Sequence, residues 1–139
     1  MNTPPPRTEQ GIQALLITED GTTTPVTLPA TLSTGHAARA AIAQHLGGRS
    51  WLGYCHPACS PDTHFITVGL LERPPAGTPR NDCATAVAEV LRHAPLRESI
   101  HGPALVMGPT SGDDVPTSLE PGQQQAIRDF VATWRALLA

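Results

Sequence analysis

The stretch Gly102-Pro103-Ala104-Leu105-Val106-Met107-Gly108-Pro109 decides how the rest of the chain is arranged. Its four middle residues are all apolar, and Gly and Pro fence them on both sides. A short run without polar alternation predicts a strand buried on both faces, hence one with a central place in its sheet.

Working outward, Asn81 or Asp82 can cap a helix upstream in which Ala84, Val87, Val90 and Leu91 make an apolar stripe ending near Pro95. Downstream, Ser118 can cap a last helix over about residues 119–138, with Ile127, Phe130, Val131, Trp134, Leu137 and Leu138 at offsets of three and four. That helix is expected to lie across the sheet. The runs 51–55 and 64–71 read as two further strands, joined by the loop His56-Pro57-Ala58-Cys59-Ser60-Pro61-Asp62. Ser33 or Thr34 can cap a helix over about 35–46, whose face carries Ala38, Ala41, Ile42 and Leu46 and which Gly47-Gly48 stops. Near the start, Ile12 to Ile17 and Thr22 to Leu28 form a hairpin about the turn Glu19-Asp20-Gly21, with Pro25 placing the second strand at an edge or a bulge. The expected fold is α+β, a small mixed or antiparallel sheet of about five strands with three helices in the order ββαββαβα. Residues 1–10, with Pro4-Pro5-Pro6, read as a disordered N-terminal arm, and 11–139 as a single domain.

At 139 residues such a domain encloses one core without needing disulfides or a metal. The chain has nine arginines and no lysine against twelve acidic residues, a formal charge of -3. This balance gives no overall cationic field and disfavours nucleic acid as a partner. The missing lysine also removes a Schiff-base amine and the lysine of a Gly-rich phosphate loop. No apolar run is long enough to cross a bilayer, and the first residues lack a secretory pattern, so the expected location is cytoplasmic, with no membrane partner. Three cysteines, an odd set, do not form a disulfide framework in that setting.

The succession IQALLITEDG, the pair Gly47-Gly48, PRNDCATAV and GPALVMGP resembles a family of small uncharacterised domains found mostly in phage, plasmid and actinobacterial proteins. The resemblance covers about residues 11–130 and rests on Asp20, Gly21, Gly48, Asn81, Ala84, Thr85, Gly102, Pro103 and Gly108, all of which read as scaffold positions. The family has no established activity, so the resemblance supplies no catalytic residues. It implies an accessory protein of mobile elements or their hosts that acts by binding another protein. This chain departs from the family pattern in the cysteine and histidine loop over residues 55–64.

Cys55, His56, Cys59 and His64 are the concentrated soft ligands, and with Cys83 they offer sulfur and nitrogen donors for zinc. Their spacing is not that of paired zinc-knuckle cysteines, and half-buried thiols and ordinary loop histidines are the commoner use of such residues. A cysteine-dependent enzyme would use the 55–64 loop or Cys83 at a helix start, and against Cys83 stand the adjacent Asp82 and the frequency of cysteine as a small core residue. Neither a cofactor nor a metal site is therefore assigned. Trp51 and Tyr54 combine large contact area with a polar handle, and Arg73 and Arg80, with Arg92 and Arg97, form a local positive cluster able to grip carboxylate or phosphate, although Glu72, Asp82, Glu89 and Glu98 beside them make solvated ion pairs the default. These four, Trp51, Tyr54, Arg73 and Arg80, are the expected partner-binding residues.

The sequence thus points to a non-enzymatic accessory or regulatory domain that binds another protein. The alternatives are a small cysteine-dependent hydrolase or transferase, and a structural zinc-containing or nucleic-acid-binding module. The apolar end of the last helix, Trp134 to Ala139, adds an expectation of weak homodimerisation.

Overall fold

The computed structural model describes residues 11–29, 35–55, 66–92, 94–109 and 115–138. The expected arm over 1–10, the capping residues Ser33 and Thr34, and His56, Cys59 and His64 lie outside the described residues. Strands β1 (Ile12–Ile17), β2 (Thr23–Leu28), β3 (Ser50–Cys55), β4 (Ile66–Leu71) and β5 (Ala104–Met107) and helices α1 (Gly35–Leu46), α2 (Asp82–Arg92) and α3 (Pro121–Leu138) follow in the order ββαββαβα.

The strands form one sheet in the order β2-β1-β5-β4-β3. Every pairing in it is antiparallel. The last strand in sequence is thus the middle one in space, inserted between the β1–β2 and β3–β4 hairpins. Its residues Ala104 to Met107 are all buried, because both faces of the sheet are covered. One layer, formed by Ala14, Leu28, Ile42, Leu46, Leu105 and Met107, packs the sheet against α1. On the other side Leu15, Ile17, Val68 and Val106 meet Ala84, Val87 and Ala88 of α2 and Ile127 and Val131 of α3. Each large aliphatic side chain removed from water in this way contributes about 1.5–3 kcal/mol before chain entropy is counted.

Local chemistry explains where each element sits. Pro25, which has no amide hydrogen to give a ladder, lies opposite Leu15 on the edge strand β2. Gly69 lets α1 approach the sheet: a methyl group there would stand 2.7 Å from Cγ2 of Ile42. Gly47 ends α1 by donating to the Ala43 carbonyl at 2.9 Å.

Two expectations about the helices are corrected. Val90, expected on the apolar stripe of α2, is 54% exposed, since the buried stripe runs through Cys83, Ala84, Val87 and Ala88 and leaves Val90 at its margin. Ser118 does not cap α3. Its hydroxyl accepts the Gln13 amide at 2.9 Å, and Leu119 donates to the Gln13 carbonyl at 2.8 Å, so this segment is tied to β1. The helix begins at Pro121, whose missing amide hydrogen costs nothing in a first turn. The Gln123 side chain reaches back to the Glu120 amide at 3.1 Å, the returning half of a capping box.

Candidate functional site

The register of the sheet sorts the candidate residues by position. Ile17, Ala104, Leu71 and Ser50 lie at one end, and Ile12, Met107, Ile66 and Cys55 at the other. Trp51 pairs with Leu70 near the first end, while Tyr54 pairs with Thr67 near the second. Leu70 packs with the α2 and α3 layer, whereas its neighbours Gly69 and Leu71 meet the α1 layer, so positions 51 and 54 fall on opposite faces. Arg73 follows directly on β4, and Arg80 bridges to His101 just before β5, so both join Trp51 at the first end. Arg73 is exposed, and Arg80 faces Asp82 at 3.7 Å, with side chains 64% and 53% exposed. An ion pair that open contributes little.

That first end also holds the more prominent pocket, of about 580 Å³, between β4, the last half of α2 and the segment 94–101. Its apolar wall is made by Val68, Leu70, Ala88, Leu96 and Ile100. Arg92, Arg97, Glu98 and His101 stand around it. The segment that closes the pocket is held by its own hydrogen bonds. Glu89 Oε2 accepts the Leu96 amide at 2.8 Å, Thr85 Oγ1 accepts the Ile100 amide at 2.9 Å, and the Asn81 amide donates to the Ile100 carbonyl at 2.7 Å. His101 Nδ1 lies 3.1 Å from the Thr78 carbonyl. A smaller depression of about 330 Å³ lies across Glu72, lined by His36, Arg39, Ala43, Arg49 and Ser50. Glu72 and Arg49 stand 4.0 Å apart.

Six of the nine arginines, at positions 39, 49, 73, 80, 92 and 97, therefore belong to the elements at this end, against Glu72, Asp82, Glu89 and Glu98. The molecule is acidic overall and locally basic here. The sequence showed the arginines from 73 to 97 as a run. It gave no sign that Arg39 and Arg49 would join them, because that depends on β3 lying beside β4.

Asn81 is fully buried and organises the start of α2. Its Nδ2 donates to the carbonyls of Ile17 and Gly102, each at 2.9 Å, and its Oδ1 accepts the Ala84 amide at 2.9 Å. One side chain thus caps α2 and satisfies the carbonyls at the end of β1 and just before β5.

Cys83 lies two residues after this cap, buried against the β1–β2 turn. A methyl group on Gly21, where φ is +83°, would stand 2.7 Å from Cδ of Arg135 and 3.0 Å from the Cys83 sulfur. Burial pushes the Cys83 thiol up, the Arg135 guanidinium opposes this, and Asp82 and Asp20 add to it. The result is a protonated core thiol, the reverse of what a nucleophile requires. Asp20 in the same turn accepts hydrogen bonds from the Thr18 hydroxyl and the Thr22 amide, which hold its carboxyl down at about 2. Cys83 is also at the opposite end of the sheet from Cys55, so the two do not meet as ligands of one metal. Among the described residues no three His, Cys, Asp or Glu side chains are grouped as a metal site.

No helix is long and apolar enough to cross a membrane among the described residues. The chain matches no family model, no curated protein and no solved structure.

Proposed function

We propose that this chain is a non-enzymatic accessory or regulatory domain that binds another protein through the end of the sheet where β3 begins and β4 ends. The observation that carries this reading is the pocket of about 580 Å³ at that end, which joins an apolar wall to arginines on an otherwise acidic molecule. A partner with an acidic surface complements it, and charge of this kind governs orientation and rate of encounter more than affinity. Arg73, Arg80 and the backbone position of Trp51 lie around the same end, whereas the backbone position of Tyr54 is near the other end of β3.

A cysteine-dependent enzyme is the weaker reading, because the thiol of Cys83 is buried and held protonated. For nucleic acid, the local arginines are offset by four carboxylates, and short DNA or RNA is expected to show no retardation at low salt. Weak pairing with a second copy, through the outer end of α3 where Leu137 is 79% exposed, belongs to the same proposal.

The test compares affinity capture by the wild-type chain and by an Arg73→Glu/Arg97→Glu variant in cell extract from the native host. Both arginines are exposed, so the variant keeps its fold. A protein enriched in stoichiometric amount by the wild type and lost with the variant is expected. Equal enrichment by both would place the binding surface elsewhere.

A further inference from the structure

We infer that the pocket between β4, α2 and residues 94–101 recognises an apolar group that carries a single carboxylate. The inference rests on reading this pocket as a binding site and names the chemistry that it takes.

Size sets the first limit. A space of about 580 Å³ admits an amino-acid side chain with its neighbouring backbone, or a short alkyl chain, but not a folded element. Val68, Ala88 and Ile100 are buried at its base, and Leu70 and Leu96 are half-buried beside them, so the deep part of any occupant must be apolar.

Charge sets the second. Arg92 and Arg97 both line the pocket, and no ion pair of either is present among the described residues. Glu72 and Glu98 line it too, so the formal charges of these four side chains cancel, and Glu72 lies 4.0 Å from Arg49 in an open pair that contributes little. Geometry rather than net charge therefore favours the anion: two guanidiniums stand beside an apolar wall, each able to hold a carboxylate by two parallel hydrogen bonds, and no excess of positive charge is there to match a doubly charged phosphate.

Pre-organisation is the third point. Leu96 and Ile100 are fixed by the hydrogen bonds from their amides to Glu89 and Thr85, so the wall exists before anything binds. Less ordering is then needed on binding.

The carboxylate can come from the C-terminus of a partner chain or from a free small amphiphile, and four probes separate these sources. Backbone amide shifts of the ¹⁵N-labelled protein are followed by NMR during titration with N-acetyl-phenylalanine and its amide, and with octanoate and octanol. The expected result is shifts confined to the residues around the pocket, with each carboxylate binding about tenfold or more tightly than its neutral counterpart. An Arg92→Gln/Arg97→Gln variant should remove that preference while still binding the neutral probes, which shows that the pocket itself survives. Response to the peptide-like pair alone identifies a chain terminus as the source, and response to the octyl pair alone identifies a free amphiphile. Carboxylates and neutral probes binding equally would overturn the charge inference and leave an apolar site. No shift with any of the four would overturn the reading of the pocket as a binding site as well.

Discussion

Asn81 does the work of three residues, since its amide group donates to the carbonyls of Ile17 in β1 and Gly102 just before β5 while its oxygen caps a helix. Replacing it by alanine leaves all three backbone groups without a partner in a place water does not reach, and is expected to cost about 3 kcal/mol. Asn81→Asp keeps the capping oxygen but turns an acceptor toward the Ile17 and Gly102 carbonyls, so it should be no better tolerated. Urea unfolding of the two variants checks this, and an aspartate variant close to wild type would mean that the two donated bonds carry no weight. Cys83 yields a second expectation. Peptide mapping after brief alkylation should find Cys83 unmodified in the native protein and modified once urea is added. The pH dependence follows from the same burial. Its folded value lies above the ordinary 9.0, so the unfolded chain loses its proton first as the pH rises. The stability that this residue contributes is complete below about pH 9 and is lost as pH climbs through the folded value. A Cys83→Ala variant should therefore have a flatter stability profile in alkali than the wild type.

Between elements, the approach of α1 to the sheet depends on what Gly69 lacks. Gly69→Ala drives a methyl group into Ile42 Cγ2 and is expected to destabilise by about 1–3 kcal/mol. The test is a double-mutant cycle with Ile42→Ala, which removes the clashing carbon. The double variant should lose less stability than the two single changes added, and strict additivity would show that the contact does not set the helix position. Two residues earlier on β4, Thr67 is fully buried and its hydroxyl has no hydrogen-bond partner among the described residues. Thr67→Val keeps the shape and removes the desolvated polar atom, so a gain of about 1 kcal/mol in chemical unfolding is expected. A loss would reveal that the hydroxyl has a partner in the folded protein after all. The capping of α3 shows why element ends were harder to read than elements. Ser118 has the right chemistry for a cap, but β1 offers its Gln13 amide to the same hydroxyl, and the helix starts later, at Pro121. A local signal lost to a tertiary hydrogen bond that the sequence around it does not display.

At the scale of the whole molecule, the outer end of α3 gives the test of assembly. Trp134 and Phe130 pack on the core of their own chain, while Leu137 does not. Light scattering after size exclusion is expected to give a mass rising above 14.6 kDa with concentration, and Leu137→Glu should hold it at that value. A wild-type mass that stays at 14.6 kDa at high micromolar concentration would remove the pairing proposal. The chain by itself determined those features that follow from nearest neighbours along it. The apolar run Ala104 to Met107 required burial on both faces, the spacing of Ala38, Ile42 and Leu46 required a helix with one covered side, and Pro25 required an edge. Each reflects a period or a missing hydrogen that is written in a few consecutive residues. Only the tertiary structure decided that β5 lies between β1 and β4, that Trp51 and Tyr54 fall on opposite faces, and that Arg39 and Arg49 join Arg92 and Arg97 around one end. Those outcomes depend on which strands lie side by side, and strand neighbours are chosen by the fit of whole faces in the core rather than by any local run of sequence.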